Sequence, residues 1–201
     1  MYKVREVTEN NLILEGEGRI IHISFPGQEI IRFKVIEEDA DETSEFKIAE
    51  EKTPERIDAF KISENKLKVS SGPTELFLTL NPLSFKVYKD GKEKLSSDES
   101  VFLEKRKEET IFRFKLNSEE RIYGLGQDCM ANLEQNGQER RCWHQWNGFR
   151  RSGNGSIPFL LSSQNYGLFL DTSWPVRFNI GGDKIPEKNL GEDWAPSPWN
   201  W

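Results

Sequence analysis

The chain has 201 residues, 31% of them charged, and a formal net charge of -6; with a mean hydropathy of -0.70 it is expected to be soluble, with ample length for one large all-β domain or two small ones. No run approaches the roughly 18 apolar residues of a membrane helix, and the opening Met1-Tyr2-Lys3-Val4-Arg5-Glu6 has neither an apolar h-region nor a small-residue cleavage site, so a cytoplasmic location without a membrane partner is expected. Nucleic-acid binders carry a basic face for phosphate, whereas here 28 basic residues are outnumbered by 34 acidic ones and lie scattered, which sets that class aside.

In chain order the sequence reads as strands separated by turns. Residues 11–15 open a run closed by Gly16 and Gly18. Residues 19–25 are β-branched and aromatic, and Pro26-Gly27 ends them with turn chemistry. Residues 30–36 alternate apolar with charged, the period of a half-buried strand. An acidic run over 37–45 reads as a solvated loop. A short helix is expected near residues 51–59, with Thr53 as N-cap and Pro54 in the first position. Residues 66–69 and 75–80 are strands around a Ser71-Gly72-Pro73 turn, and 83–88 runs into the hairpin signal Asp90-Gly91. Residues 110–116 alternate again. Many short strands at steady spacing and almost no helix point to an antiparallel sandwich or barrel.

The composition then shifts. All six tryptophans (143, 146, 174, 194, 199 and 201) follow residue 142, and glycine is dense there. Catalytic chemistry is poorly represented. Asp128, Asp171, Asp183 and Asp193 stand near this region without the spacing of a catalytic carboxylate pair. There is no Gly-x-Ser-x-Gly, and His22 sits in a β-branched strand where a satisfied sheet residue is the simpler account. Cys129, Cys142, His22 and His144 lack metal-ligand spacing, so neither metal nor cofactor is expected. Gly124-Leu125-Gly126 lacks the third glycine of a nucleotide loop. Arg140-Arg141 and Arg150-Arg151 read as a solvated rim. What remains is a surface suited to sugar. Trp143, His144, Gln145, Trp146, Asn147 and Arg150 fall within eight residues, giving flat aromatic faces with planar polar groups. Core packing beneath a long loop accounts for the two tryptophans equally well.

At this stretch a resemblance emerges. Glu120-Arg121-Ile122-Tyr123-Gly124-Leu125-Gly126-Gln127, then Ser156-Ile157-Pro158-Phe159-Leu160-Leu161-Ser162-Ser163, then Asn165-Tyr166-Gly167-Leu168-Phe169-Leu170-Asp171-Thr172 resemble, in order and spacing, successive strands of family 31 glycoside hydrolases. The resemblance covers about residues 118 to 180. It implies an all-β, antiparallel β-sandwich of the galactose mutarotase-like kind, with residues 1–201 forming the N-terminal domain of an α-glucosidase or α-xylosidase, cut before its catalytic (α/β)8 barrel. That barrel, which needs roughly 200 further residues, supplies both catalytic aspartates in the family. The fragment alone is therefore expected to be inactive, with the barrel of its own full-length chain and an α-linked oligosaccharide as partners and with oligomerisation left open.

In the family a loop between the first two of these strands reaches over the barrel mouth and often carries Trp-Asn-x-Asp. The matching stretch here is Trp143-His144-Gln145-Trp146-Asn147. The resemblance thus makes Trp143, His144, Trp146 and Asn147 the expected substrate-binding residues. The family's Asp position falls on Trp146, or on Asn147 if the loop slips by one, which implies an altered preference for the leaving-group sugar. Asn136-Gly137-Gln138 leans toward the α-xylosidase branch. A free-standing carbohydrate-binding module is the alternative; an aldose epimerase on the same fold and a purely structural domain complete the field.

Overall fold

The structure is a computed structural model; it describes residues 1–38, 54–106, 109–127, 133–142, 155–172 and 174–182. Among these, every regular element is a β-strand and every ladder is antiparallel. The chain divides into two compact units, Met1–Lys115 and Leu116–Trp201.

The first unit holds two meanders. One sheet runs β1 (Lys3–Val7), β2 (Asn11–Gly16), β3 (Arg19–Gly27), β4 (Ile30–Glu37). The other runs β5 (Asp58–Ser63), β6 (Lys66–Ser71), β7 (Thr74–Leu80), β8 (Leu83–Lys89), β9 (Lys92–Ser96). A hairpin of β10 (Leu103–Arg106) and β11 (Glu109–Phe112) completes it. Turn chemistry sets the registers. Glu17-Gly18 and Asp90-Gly91 both have positive φ at their two central positions, the backbone twist that a two-residue hairpin requires. Alternation sets the faces: β7 buries Thr74, Leu76, Leu78 and Leu80 and turns the residues between them outward. Leu12, Leu14, Ile21, Ile23 and Phe25 of one sheet share a core with Leu67, Val69, Leu76, Leu78 and Phe85 of the other, which makes this unit a sandwich. Phe85 lies at the centre of an aromatic cluster, stacked on Phe33 at 5.0 Å between centroids and edge-on to Phe102 at 4.9 Å.

The expected helix near residues 51–59 does not form where it is described. Residues 54–57 have no regular structure, and Asp58 and Ala59 open strand β5. The local start signal is overridden by long-range backbone pairing: Glu55 N–H donates to the Phe25 carbonyl at 2.7 Å and Ile57 N–H to the Glu9 carbonyl at 2.8 Å. A helix capped by Thr53 would instead direct the Ile57 N–H to the Thr53 carbonyl. The strand expected over 110–116 is shorter, ending at Phe112 with a single further bridge from Phe114 to Ser97. Strands β1, β5 and β10 had no distinct signal in the sequence.

The second unit has a three-stranded sheet in the order β12 (Ile122–Gln127), β14 (Gly155–Ser162), β15 (Tyr166–Phe169), and a two-stranded sheet of β13 (Gln138–Cys142) with β16 (Val176–Ile180). Its core is Ile122, Leu125, Cys142, Leu160, Phe178 and Ile180.

The frame of the candidate sugar-binding loop

Trp143, His144, Trp146 and Asn147, like Trp194, Trp199 and Trp201, lie outside the described residues. The structure describes the frame from which the candidate loop departs.

The frame is anchored on Glu120, which is 2% exposed. Its Oε1 accepts from the Ser162 hydroxyl at 2.5 Å and the Tyr166 hydroxyl at 2.6 Å, and its Oε2 accepts from the Asn117 backbone N–H at 3.2 Å. A buried carboxylate persists only when its lone pairs are satisfied, and here the donors come from β14, β15 and the chain before β12. Burial, and then the Glu120 carboxylate beside it, push the Tyr166 hydroxyl above its ordinary value, so Tyr166 stays a proton donor. Asn136 adds a second clamp: its Oδ1 accepts from Ile122 N–H and its Nδ2 donates to the Glu120 carbonyl, both at 2.7 Å.

The two motifs that carry the resemblance form one structural device. Gly124 pairs with Leu160, but Gly126 pairs with Ser156, so Leu125 stands opposite three residues, Ile157-Pro158-Phe159. Gly124, Leu125 and Gly126 all have positive φ, at 104°, 65° and 82°. A Cβ on Gly126 would lie 1.9 Å from the Gly155 carbonyl oxygen, so only glycine fits. The bulge turns Leu125 into the core at 1% exposure and gives Pro158 a place where no ladder N–H is required; the Pro158 carbonyl instead accepts from Leu170 N–H at 2.9 Å. Beyond the bulge Gln127 pairs with Gly155, closing the root from which residues 128–154 leave and return.

Within that excursion β13 runs to Cys142, opposite Val176 of β16. The candidate loop residues follow Cys142 directly. Two residues before Val176 stands Trp174, 74% exposed, whose backbone N–H donates to the Thr172 hydroxyl at 3.2 Å. In the sequence Trp174 is one of six tryptophans; the β13–β16 register brings its segment beside the point where the candidate loop departs. Burial raises the Cys142 thiol, which suits a packing role.

The outer face of β14 is apolar. Ile157 is 54% exposed, Leu161 49% and Phe159 37%, and Phe169 of β15, opposite Phe159, is 40% exposed. The Phe159 ring lies over Gly167. The inner face carries Leu160 between the buried Ser156 and Ser162, so the more apolar face of β14 is the outer one.

Elsewhere, His22 is a partly buried residue of β3, opposite Ile13 and Lys34 and engaged in an interaction of its own. The Arg140 guanidinium donates to the buried Gln135 side chain at 2.9 Å, so it is more integrated than a solvated rim residue. Among the described residues no group of three His, Cys, Asp or Glu is placed to hold a metal, and no helix is long and apolar enough to cross a membrane.

Two antiparallel sheets around a shared core, followed by a bulged three-stranded sheet, make the described residues an all-β protein. Solved structures share the fold: a GH31 dextranase from Flavobacterium johnsoniae, complexed with glucose, superimposes with a TM-score of 0.74 at 16% identity, over 91% of this chain and 23% of its own. A GH31 α-xylosidase from a soil metagenome, complexed with xylose, gives 0.68 at 18% identity, over 88% and 29%. The chain belongs to the family of the glycosyl hydrolase 31 N-terminal galactose mutarotase-like domain, which it matches over residues 20–179. A curated relative, alpha-xylosidase XylQ of Lactiplantibacillus pentosus, is 36% identical over 74 residues, 36% of this chain and 10% of the relative. The chain thus spans about a tenth of that relative's length in matched residues and 23% and 29% of the two solved enzymes.

Proposed function

We propose that this chain is the N-terminal accessory domain of an α-glycosidase acting on α-linked glucosides or xylosides. In this reading it shapes the substrate site through the loop bearing Trp143, His144, Trp146 and Asn147, while the catalytic acids lie on a barrel outside these 201 residues. The observation that carries the reading is the family match over residues 20–179 in a chain that spans only a fraction of its relatives. The name of the curated relative favours the xylosidase branch. Trp174 joins the loop as a further sugar-stacking surface, because β16 holds its segment next to the end of β13. The outer face of β14 is the seat of the catalytic domain; Ile157, Phe159, Leu161 and Phe169 supply the apolar area that a permanent interface buries.

The test compares this chain with the uncut gene product on nitrophenyl α-xyloside and α-glucoside. Hydrolysis by the long form alone supports the reading and names the sugar. Hydrolysis by the 201-residue chain sinks it, since a catalytic pair would then lie within these residues. In the long form, Trp146→Ala and Trp174→Ala are each expected to raise KM about tenfold for oligosaccharides, the scale of losing one well-packed aromatic contact, with little change for the nitrophenyl substrates. Unchanged kinetics on every α-glycoside would remove both residues from the site.

A further inference from the structure

The sequence contains three Asn-Gly pairs, at 136–137, 147–148 and 154–155. This dipeptide is chemically labile. The glycine nitrogen loses its proton to solvent base and attacks Cγ of the asparagine side chain. An N–Cγ bond forms, the Cγ–Nδ2 bond breaks, and the departing Nδ2 takes up a proton and leaves as ammonia. Water then opens the resulting succinimide at either of its ring C–N bonds, giving aspartate or isoaspartate. One water is consumed and one ammonia released. Glycine favours the step because it has no Cβ to crowd its own nitrogen. Asn147, Gly148 and Asn154 lie outside the described residues, whereas Asn136 and Gly137 are both described.

Both reacting groups of this pair are occupied. The Asn136 side chain is bonded at both ends, Oδ1 to the Ile122 N–H and Nδ2 to the Glu120 carbonyl, each at 2.7 Å. The Gly137 N–H, which would become the nucleophile, donates to the Ile180 carbonyl at 2.6 Å. The carbon and the nitrogen that must meet are thus held on different strands, one on β12 and the other on β16. The turn that carries them is pinned as well. Gln135 N–H donates to the Ile122 carbonyl at 2.7 Å and Gln138 N–H to the Gln135 carbonyl at 3.0 Å. Gly137 has a φ of 74°, which glycine adopts at little cost. Gly182 lies so close that a Cβ on it would stand 2.8 Å from the Gly137 carbonyl oxygen.

We propose that Asn136–Gly137 is a deamidation site gated by the fold: closed while β12 and β16 hold it, open when the second unit opens locally, and irreversible once used. Chemistry of this kind proceeds in proportion to the population of the open form. The products do not restore the clamp. Aspartate at position 136 has no donor for the Glu120 carbonyl and sets a carboxylate oxygen against that carbonyl oxygen instead. Isoaspartate also lengthens the backbone by one carbon inside the Gln135–Gln138 turn. Each opening that lasts long enough for the chemistry therefore removes a molecule from the folded pool.

The experiment incubates the chain in mildly alkaline buffer, folded and in guanidinium chloride, and follows deamidation at Asn136 by peptide mapping with mass spectrometry. A peptide of residues 133–140, measured in both solutions, corrects for the solvent. Deamidation is expected to be at least about tenfold slower in the folded chain; a smaller difference would overturn the gate. Gly182→Ala presses a Cβ on the Gly137 carbonyl and leaves the reacting groups untouched. It should speed the folded-state rate about fivefold and leave the rate in guanidinium chloride unchanged; no acceleration would overturn the part played by β16. Hydrogen exchange at the Gly137 amide of the parent decides the same point without a variant: slow exchange is expected, and exchange as fast as in the peptide overturns the gate. Asn136→Asp, the product itself, should lower the midpoint of the tryptophan fluorescence transition by about 5 °C. A midpoint equal to the parent's would overturn the irreversibility.

Discussion

The two units solve the same problem in different ways. In the first, alternation is clean in β2, β6 and β7, and sixteen buried apolar residues form one cluster. The second gathers only six among the described residues, while Ile157, Phe159, Leu161, Phe169 and Trp174 stand exposed. Both units leave apolar side chains outside, Val7, Ile30, Phe60 and Ile62 in the first as well as these in the second. The contrast lies in how much interior each unit builds for itself. All six tryptophans lie in the second unit, so tryptophan fluorescence reports that unit alone and circular dichroism reports both.

Four substitutions test the contrast. The largest effect is expected for Phe85→Ala, which removes the ring on which Phe33, Phe102 and Phe114 pack. A loss of about 3–5 kcal/mol follows from emptying a buried aromatic site. It should appear in the circular dichroism transition and much less in tryptophan fluorescence. If both probes shift equally, the two units unfold as one and the comparison fails. Gly126→Ala is the converse. Its Cβ meets the Gly155 carbonyl in a backbone conformation that suits glycine, and about 3 kcal/mol should be lost, read in the fluorescence transition. A smaller effect concerns acid. Burial works against it, but hydrogen bonds from Lys105 and Arg19 make the Glu37 carboxyl titrate lower in the folded chain than in the unfolded one, so its contribution is fully present above the unfolded value near 4.5 and is lost as the pH falls through the lower folded value. Glu37→Gln should therefore flatten the acid limb of a stability-versus-pH curve below about pH 4.5 and leave its shape at neutral pH unchanged. The smallest change in stability is expected for Phe159→Ser. Truncating this exposed ring should move unfolding by no more than about 0.5 kcal/mol while reducing self-association and dye binding. A large loss would mean that Phe159 belongs to an interior after all.

Much of the first unit was legible because physical signals agreed locally. β3, β4, β7 and β8 combine alternation with turn residues of the right backbone preference, and Asp90-Gly91 formed the turn it announces. β1 and β5 were not legible. All their side chains are exposed, so burial left no period to read, and β5 follows a helix-start signal that tertiary pairing overrides. β13 reads Gln-Glu-Arg-Arg-Cys and becomes a strand by its partnership with β16, which no local pattern reveals. In the second unit the bulge was readable only through resemblance. Gly124-Leu125-Gly126 and Ile157-Pro158-Phe159 are separated by about thirty residues, and their mutual fit appears only when β12 and β14 are paired. Glu120 escaped notice because it looks like any acid in a charged stretch; its Ser162 and Tyr166 donors lie more than forty residues away. Of the candidate loop, the frame is described and Trp143, His144, Trp146 and Asn147 are not.

The order of strands in the first unit has a consequence for how the protein is made. In both sheets each strand pairs with the one synthesised just before it, so no strand has to wait for a distant partner. Short loops close fast and contacts between sequence neighbours favour rapid folding, so each sheet can grow from its first hairpin while the chain is still leaving the ribosome. β12 has no such advantage: its neighbour β14 arrives only after β13 and the segment carrying Trp143–Asn147 have been translated. The early part of the nascent chain can therefore be folded and stable while the bulged sheet is still incomplete.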